Sequence, residues 1–170
     1  KKLGKEVTVI QSTDRVLNQV FDKEITDVLE DEMKAHGVNL RLEELAAEFV
    51  GKTKVEKVIT NKGEIEADLV IIATGVRPNT SFLKDTNIEM LGNGAIIVDE
   101  YGRTSVEDIY SAGDCATIKN IVTNEDMYVP LATGANKLGR IVGENLAGSN
   151  NAFQGSLGSS CIKVMSMEAA

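Results

Sequence analysis

The segment Thr104–Asp114, TSVEDIYSAGD, ends in a pair of residues whose types and spacing can do chemistry. The apolar stretch Ile109–Ala112 predicts a buried strand that delivers Gly113 and Asp114 at its carboxyl end. In open α/β sheets, ligands bind outside such strand ends. Gly113 lets a ligand approach the backbone closely, and the Asp114 carboxylate can accept hydrogen bonds from ligand hydroxyls. The alternative is an aspartate that caps the following loop, and the spacing alone leaves both interpretations open.

Two further candidates lie on either side of this segment. A helix is predicted from about Leu131 to 146, and Pro130 suits its opening because proline has no N–H to leave unpaired. The first N–H groups of that helix, at Ala132 and Thr133, favour negative charge. The other candidate is Gly75, where a predicted apolar strand stops abruptly; a plain exit from strand to loop is the alternative.

The elements that position these candidates first alternate between strand and helix. Residues 6–11 and 38–42 predict short strands, and Asp22 can cap a helix that runs to about His36, with Gly37 ending it. The predicted apolar stripe of that helix is Ile25, Val28, Leu29 and Met33. This order is typical of a parallel α/β unit.

The remaining pattern predicts an antiparallel meander and a second group of short elements. The meander strands are 45–50, 54–60 and 65–73, joined by turns of hairpin length that contain glycine. The later predictions are a short helix near 81–84, strands at 95–98 and 109–112, a polar loop at 117–128, and a strand-rich segment from 153.

The composition excludes several classes of protein. Among 170 residues, 42% are hydrophobic and 26% are charged, which is typical of a globular chain and not of a disordered or collagen-like one. No apolar run approaches the roughly 18 residues of a membrane span. The net charge of −8 and the aromatic content of 4% argue against a nucleic-acid partner.

Three segments together resemble the FAD-dependent pyridine nucleotide–disulfide oxidoreductases. TSVEDIYSAGD is similar to the family's second FAD motif, and ATGVRPN (73–79) to the motif where the chain leaves the NAD(P) domain. YVPLATGANKLGRIVGENLAG, followed by FQGSLGSSCIKV, resembles the branch of coenzyme A-disulfide reductases, NADH oxidases and NADH peroxidases. The form of residues 130–140 is most similar to the coenzyme A-disulfide reductases.

The resemblance implies an α/β chain that is an internal part of a longer protein. Residues 1–77 would be the C-terminal part of a Rossmann-like NAD(P)-binding domain with its meander. Residues 78–148 would be the second half of an FAD-binding domain, and 149–170 the truncated start of a dimerisation domain. The glycine-rich loops and the redox-active cysteine would lie upstream, so no catalytic residue is expected in the chain.

The resemblance also implies an activity, namely hydride transfer from NAD(P)H to FAD and electron transfer onward to a disulfide, with coenzyme A disulfide as the first choice. An NADH oxidase or peroxidase that reduces O₂ or H₂O₂ is one alternative. A non-catalytic fragment with weak nucleotide binding is an alternative of another class. The intact protein would be a cytoplasmic homodimer that acts on small molecules, with no nucleic-acid or membrane partner.

Site residues follow from the same resemblance. The FAD set is Gly113, Asp114, Pro130, Leu131 and Ala132; the NAD(P) set is Gln11 and Gly75; the substrate set is Asn136 and Lys137; no metal site is expected. Cys115, Cys161 and His36 are interpreted as structural residues.

Gln11 departs from the usual dinucleotide pattern. The second strand of that fold commonly ends in Asp or Glu, which holds the ribose 2′-OH and repels a 2′-phosphate. A neutral amide can bond the hydroxyl without repelling a phosphate, so the pattern is compatible with NADPH as well as NADH. The nearby Arg15 is weak support for NADPH.

Overall fold

The computed structural model describes residues 1 and 3–170, which divide into two compact units. The first unit comprises Lys1–Ala73 together with Ser160–Ala170, and the second comprises Thr74–Ser159. The elements are a mixture of helices and short strands, in agreement with the predicted α/β class. The proposed functional domain boundaries at 77 and 148 stay predictions.

The first unit opens with a parallel pair of strands connected by a helix. β1 (Thr8–Ile10) pairs in parallel with β2 (Asn39–Arg41), and α1 (Lys23–Ala35) connects them. Asp22 occupies the N-cap position, and Gly37 follows the helix with φ of +75°, a left-handed conformation that glycine adopts at low cost. The predicted strand–helix–strand unit is confirmed.

The buried face of α1 differs from the predicted stripe. Leu29 is 2% exposed, but Ile25 and Val28 are 39% and 48% exposed. Glu30 is buried in their place, and its carboxylate accepts a hydrogen bond from the backbone N–H of Val16 at 3.0 Å. A buried polar group is tolerated when it is hydrogen-bonded, so an apolar periodicity does not identify such a residue.

The predicted meander forms, but its last strand is much shorter than expected. β3 (Ala46–Val50), β4 (Lys57–Thr60) and β5 (Gly63–Glu66) pair antiparallel in that order. The strand predicted at 65–73 is therefore wrong beyond Glu66, and Leu69–Ala73 forms no strand. Its apolar side chains have no neighbouring strand to cover them; Leu69, Ile71 and Ile72 are 73%, 81% and 66% exposed.

The second unit packs around one apolar cluster. Its buried members are Ile88, Ile96, Val98, Ala116, Ile118, Leu138 and Val142. The strands predicted at 95–98 and 109–112 are wrong, since these residues form isolated bridges alone, namely Met90 to Ile96, Ile96 to Ala116 and Arg103 to Tyr110. The N–H groups of 96–98 bond to different parts of the chain and so build no continuous ladder. The Ile96 N–H donates to the Cys115 carbonyl at 2.8 Å and the Ile97 N–H to the Glu89 carbonyl at 3.0 Å. The Val98 N–H donates to the Thr117 side-chain hydroxyl at 3.3 Å.

The later elements largely follow the prediction. A 3₁₀ turn lies at Ser81–Leu83, and the predicted loop at 117–128 contains a small hairpin, β6 (Ile118–Lys119) and β7 (Asp126–Met127). The helix α2 spans Ala132–Leu146. The strand-rich end is confirmed from 162 onward as the hairpin of β8 (Ile162–Val164) and β9 (Met167–Ala169), which belongs to the first unit.

Within the described residues, no helix combines the length and the apolar character that crossing a membrane requires.

Candidate functional site

The turn at Gly113 and Asp114 has the shape that a close ligand contact needs. Gly113 has φ of +87°, and a Cβ atom placed there would meet nothing within 4 Å. The turn is closed by the Ala116 N–H, which donates to the Gly113 carbonyl at 3.1 Å. The Asp114 side chain is exposed. The backbone is therefore open to approach beside a carboxylate that can accept hydrogen bonds.

Tyr128 lies close enough to this turn to respond to its charge. Burial raises the pKa of the Tyr128 hydroxyl, and the negative charge of the nearby Asp114 carboxylate raises it further. The sequence argument missed Tyr128, although an aromatic residue just before Pro130, in a chain with few aromatics, was an available signal. The structure thus places Asp114, Cys115 and Tyr128 near one another.

Helix α2 begins without a capping side chain. Leu131 is its N-cap, with extended backbone, and no side chain bonds to the first N–H groups. Pro130 lies directly before the N-cap residue, in agreement with the prediction of a helix that begins after Pro130. The N–H groups of the first turn, beginning with Ala132, have no partner within the helix and carry its positive dipole end.

The first turns of α2 pack on the strand that follows Asp114. A Cβ atom on Gly134 would lie 3.5 Å from the Ile118 Cδ1 atom, so the helix runs closely over β6. Asn136 is exposed, and its side-chain amide donates to the Ala132 carbonyl at 2.8 Å. Lys137 is exposed as well. These two proposed substrate residues thus lie on the surface of α2.

The proposed NAD(P) residues lie in different units. Gln11 directly follows β1 in the first unit, whereas Gly75 belongs to the second, with φ of +90° and open space beside it. The Gln11 side-chain amide donates to the Arg15 carbonyl at 3.5 Å, and the Arg15 guanidinium donates to the Asn18 carbonyl at 3.4 Å. The loop after β1 is therefore organised partly by its own polar side chains.

The cysteines and the described acidic residues show no metal-binding arrangement. Cys115 is half-buried, and its thiol donates to the Ala112 carbonyl at 3.5 Å, while Cys161 is exposed. Among the residues that the structure describes, no group of three or more His, Cys, Asp or Glu side chains could hold a metal ion.

A parallel βαβ unit with a meander, and a second unit that contains a glycine–aspartate turn and an uncapped helix start, are typical of nucleotide-binding α/β proteins. The chain belongs to the pyridine nucleotide-disulphide oxidoreductase family, whose model matches residues 1–139.

Similar proteins divide between two named activities. The chain is 46% identical over 165 residues to a Pyrococcus furiosus protein named NAD(P)H sulfur oxidoreductase (CoA-dependent), covering 97% of this chain and 37% of that protein. It is 48% identical over 159 residues to an NADH oxidase of Enterococcus faecalis, covering 92% and 35%.

A solved structure supports the same family. It is an FAD-dependent pyridine nucleotide-disulphide oxidoreductase from Desulfovibrio vulgaris, 37% identical, with a TM-score of 0.86. The match covers 97% of this chain and 42% of that one. The chain therefore spans little more than a third of the length of the curated relatives it matches.

Proposed function

We propose that this chain is part of a longer flavoprotein that passes a hydride from NAD(P)H to FAD and electrons onward to a disulfide. The observation that carries the proposal is the open turn at Gly113, with the exposed Asp114 carboxylate beside it. FAD presents ribityl hydroxyls that such a carboxylate can bind by charge-assisted hydrogen bonds, each contributing about 1.5–3 kcal/mol.

The residues present fit one side of a flavin nucleotide. Gly113 has room for close contact, Asp114 would accept from the ribityl chain, and Ala132 offers a small side chain at the uncapped start of α2. Leu131 is 43% exposed and would be positioned to shield this region from water. When bound, FAD supplies two-electron redox chemistry, and a helix N-terminus stabilises negative charge placed against it.

The exposed apolar segment supports the proposal that more protein belongs here. The stretch 69–72 is entirely apolar. Its residues Leu69, Ile71 and Ile72 are each at least 66% exposed. Contiguous exposed apolar surface marks a face that another segment covers. Since the curated relatives are more than twice as long as this chain, we propose that additional strands of the same protein cover this segment.

The first choice of electron acceptor is coenzyme A disulfide. In that reaction NAD(P)H and one proton reduce the disulfide bond, giving NAD(P)⁺ and two thiols. The likeness to a CoA-dependent sulfur oxidoreductase supports a sulfur acceptor, and the exposed Asn136 and Lys137 are the proposed contacts to it. The likeness to an NADH oxidase supports O₂ as the second candidate.

Steady-state turnover of the longer flavoprotein separates these two acceptors. We expect NAD(P)H oxidation that depends on coenzyme A disulfide and continues without O₂. Oxidation that needs O₂, with no disulfide reduction, would replace the first choice with the oxidase.

The Asp114 role is tested by flavin retention. Asp114→Ala in the longer flavoprotein should lower FAD retention by roughly ten- to a hundredfold, because one charge-assisted bond is lost. Absorbance of the protein after dialysis measures it. Asp85→Ala removes another exposed carboxylate of the second unit and should retain FAD fully; equal retention in both variants contradicts the role of Asp114.

The α2 start is tested by shifting its N–H groups. One residue inserted between Pro130 and Ala132 should rotate these groups and lower the flavin reduction potential by tens of millivolts at most, on the order of the 0.3–2 kcal/mol of a helix dipole. An unchanged potential in a variant that still holds FAD would remove α2 from the mechanism.

The 170-residue chain alone should purify colourless, and a yellow chain would show that it binds flavin without further residues.

The nucleotide preference is tested at Gln11. A carboxylate at this position would repel a 2′-phosphate, so Gln11→Glu should raise the KM for NADPH about tenfold or more and leave the KM for NADH nearly unchanged. Initial rates with both nucleotides measure it. A parallel change in both KM values would place Gln11 outside the NAD(P) site.

A further inference from the structure

Glu44 is a buried carboxylate at the junction of three segments of the first unit. It is 1% exposed. One of its oxygens accepts from Arg41 Nε at 2.7 Å, and the other accepts from Arg41 Nη2 at 2.9 Å. The Thr60 hydroxyl lies 2.5 Å from the second oxygen. Glu44 therefore ties the end of β2 to the end of β4.

The hydrogen bonds from Arg41 and Thr60 favour the ionised form of the Glu44 carboxylate. The Thr60 hydroxyl has one proton, and two acceptors lie within reach, Glu44 at 2.5 Å and the Gly63 carbonyl at 3.0 Å. The charged acceptor at the shorter distance takes the proton. The Arg41 hydrogen bonds, followed by the Thr60 hydrogen bond, hold the pKa of Glu44 below its usual range.

Both backbone polar groups of Gln11 bond to the two members of this ion pair. The Gln11 N–H donates to the Arg41 carbonyl at 3.0 Å, and the Glu44 N–H donates to the Gln11 carbonyl at 2.9 Å. Arg41 and Glu44 are fixed relative to each other by a two-point guanidinium–carboxylate pair, which resists rotation. The Arg41–Glu44 pair, with its buried carboxylate, thus holds the backbone at the carboxyl end of β1. We call this pair the polar lock.

We propose that Glu44, together with Arg41, is a positioning residue. By holding the backbone of Gln11 it orients the Gln11 side chain toward the adenosine ribose of NAD(P)H. This inference rests on the proposed function, in which Gln11 contacts that ribose. Hydrogen bonds weaken steeply when their distance or angle is disturbed, so a shift of the backbone at Gln11 should weaken nucleotide binding.

Glu44→Gln in the longer flavoprotein tests the inference. The amide can accept from Arg41 with only one oxygen and presents its NH₂ group to a donor, so the two-point pair is lost. We expect the KM for NADH to rise about tenfold, with unchanged kcat, FAD content and KM for the electron acceptor. Glu43→Gln makes the same charge change at the neighbouring exposed residue and should leave every parameter unchanged.

Thr60→Val provides a second, milder variant in case Glu44→Gln does not fold. It removes one hydrogen bond to Glu44 and keeps the side-chain shape, so the KM for NADH should rise about two- to fivefold. A KM for NADH equal to the wild-type value in a folded Glu44→Gln or Thr60→Val variant overturns the positioning role alone. A general fall in kcat and FAD content would show a merely structural role, and a wild-type flavoprotein that does not oxidise NADH would overturn the proposed function itself.

Discussion

The two units of the chain are stabilised in different ways. The second unit buries a contiguous apolar cluster that includes Ile96, Ile118 and Leu138. The first unit buries separate apolar side chains, such as Leu29 and Val58, and in addition two hydrogen-bonded carboxylates, Glu30 and Glu44. It also leaves its most apolar segment, Leu69–Ala73, largely exposed.

The difference shows that an apolar run does not bury itself. Ala95–Val98 and Leu69–Ala73 are similar runs in the sequence, and neither forms a regular strand. The first is covered because α2 packs over it, and Leu138 and Val142 of α2 contribute to the same cluster. The second has no such helix or strand against it, so burial depends on what the rest of the fold brings to each run.

The largest expected effect is on unfolding stability, when a buried and an exposed isoleucine are each replaced by alanine. Ile96 is 6% exposed and Ile71 is 81% exposed. In the 170-residue chain, Ile96→Ala should destabilise the second unit by about 2–5 kcal/mol because it leaves a cavity. Ile71→Ala should change the stability of the first unit by less than about 0.5 kcal/mol.

Probes for the two units are available in the sequence. The three tyrosines, Tyr101, Tyr110 and Tyr128, all lie in the second unit, so tyrosine fluorescence in a urea titration reports on it. The single histidine, His36, lies in the first unit and can be followed by NMR. Equal costs for the two Ile→Ala variants would contradict the comparison. In the longer flavoprotein, Ile71→Ala should become as costly as Ile96→Ala.

A smaller effect is expected from two glycines with similar backbone conformation. Gly102 has φ of +78°, and a Cβ atom there would lie 2.2 Å from Val142 Cγ2; Gly75 has φ of +90° and open space. Gly102→Ala should cost about 2–4 kcal/mol through overpacking and the left-handed conformation, whereas Gly75→Ala should cost only the conformational part, about 1–2 kcal/mol. Urea titrations measure both, and equal costs would show that the packing at Val142 yields easily.

The stability that the Arg41–Glu44 pair contributes to the first unit should depend on pH. The pKa of Glu44 is lowered by Arg41 and Thr60, with a smaller effect of Lys62. Its stabilising contribution is therefore complete above about pH 4.3, the usual pKa of glutamate, and is lost as pH falls through the lowered pKa of the folded state.

The corresponding variant is Glu44→Gln. When the pH falls below about 4.3, the first unit of this variant should lose less stability than the first unit of the wild type does. Some acid sensitivity should remain, because hydrogen bonds from Ser166 lower the pKa of Glu32 and a hydrogen bond from Lys54 lowers that of Asp68. Amide hydrogen exchange in α1 measures the effect. Identical acid profiles for both proteins would show that Glu44 contributes no pH-dependent stability.

The smallest effect concerns surface chemistry alone. Ile71→Lys places a charge in the exposed apolar segment, so it should reduce the fluorescence of a bound hydrophobic dye while changing unfolding stability by less than about 0.5 kcal/mol. Dye titration of the 170-residue chain measures it. Unchanged dye fluorescence would show that Leu69–Ala73 is not the apolar surface that the dye detects.

The sequence by itself determined the elements that depend on local chemistry. The bounds of α1 and α2 follow from their periodicity and from Gly37 and Gly148, both of which adopt positive φ after a helix. The parallel pairing of β1 with β2 and the tight turn between β4 and β5 were also predicted. Gly113 and Asp114 were predicted at the end of a strand that does not form, and the connection between β3 and β4 is longer than the predicted turn. The helix ends and the tight turn depend on residues close together in the chain or on a conformation that glycine adopts readily. The strand–helix–strand order favours parallel pairing of its two strands.

Only the tertiary structure decided which predicted strands form and which polar groups are buried. Leu69–Ala73 has the composition of a buried strand, but pairing requires a neighbour that composition does not reveal. Glu44 looks like a surface residue in sequence. Arg41 lies only three residues before it, but Thr60 of β4 reaches it only through the tertiary fold. Burial of a charge is settled by the groups that surround it in space, and for Glu44 one of those groups lies 16 residues away along the chain.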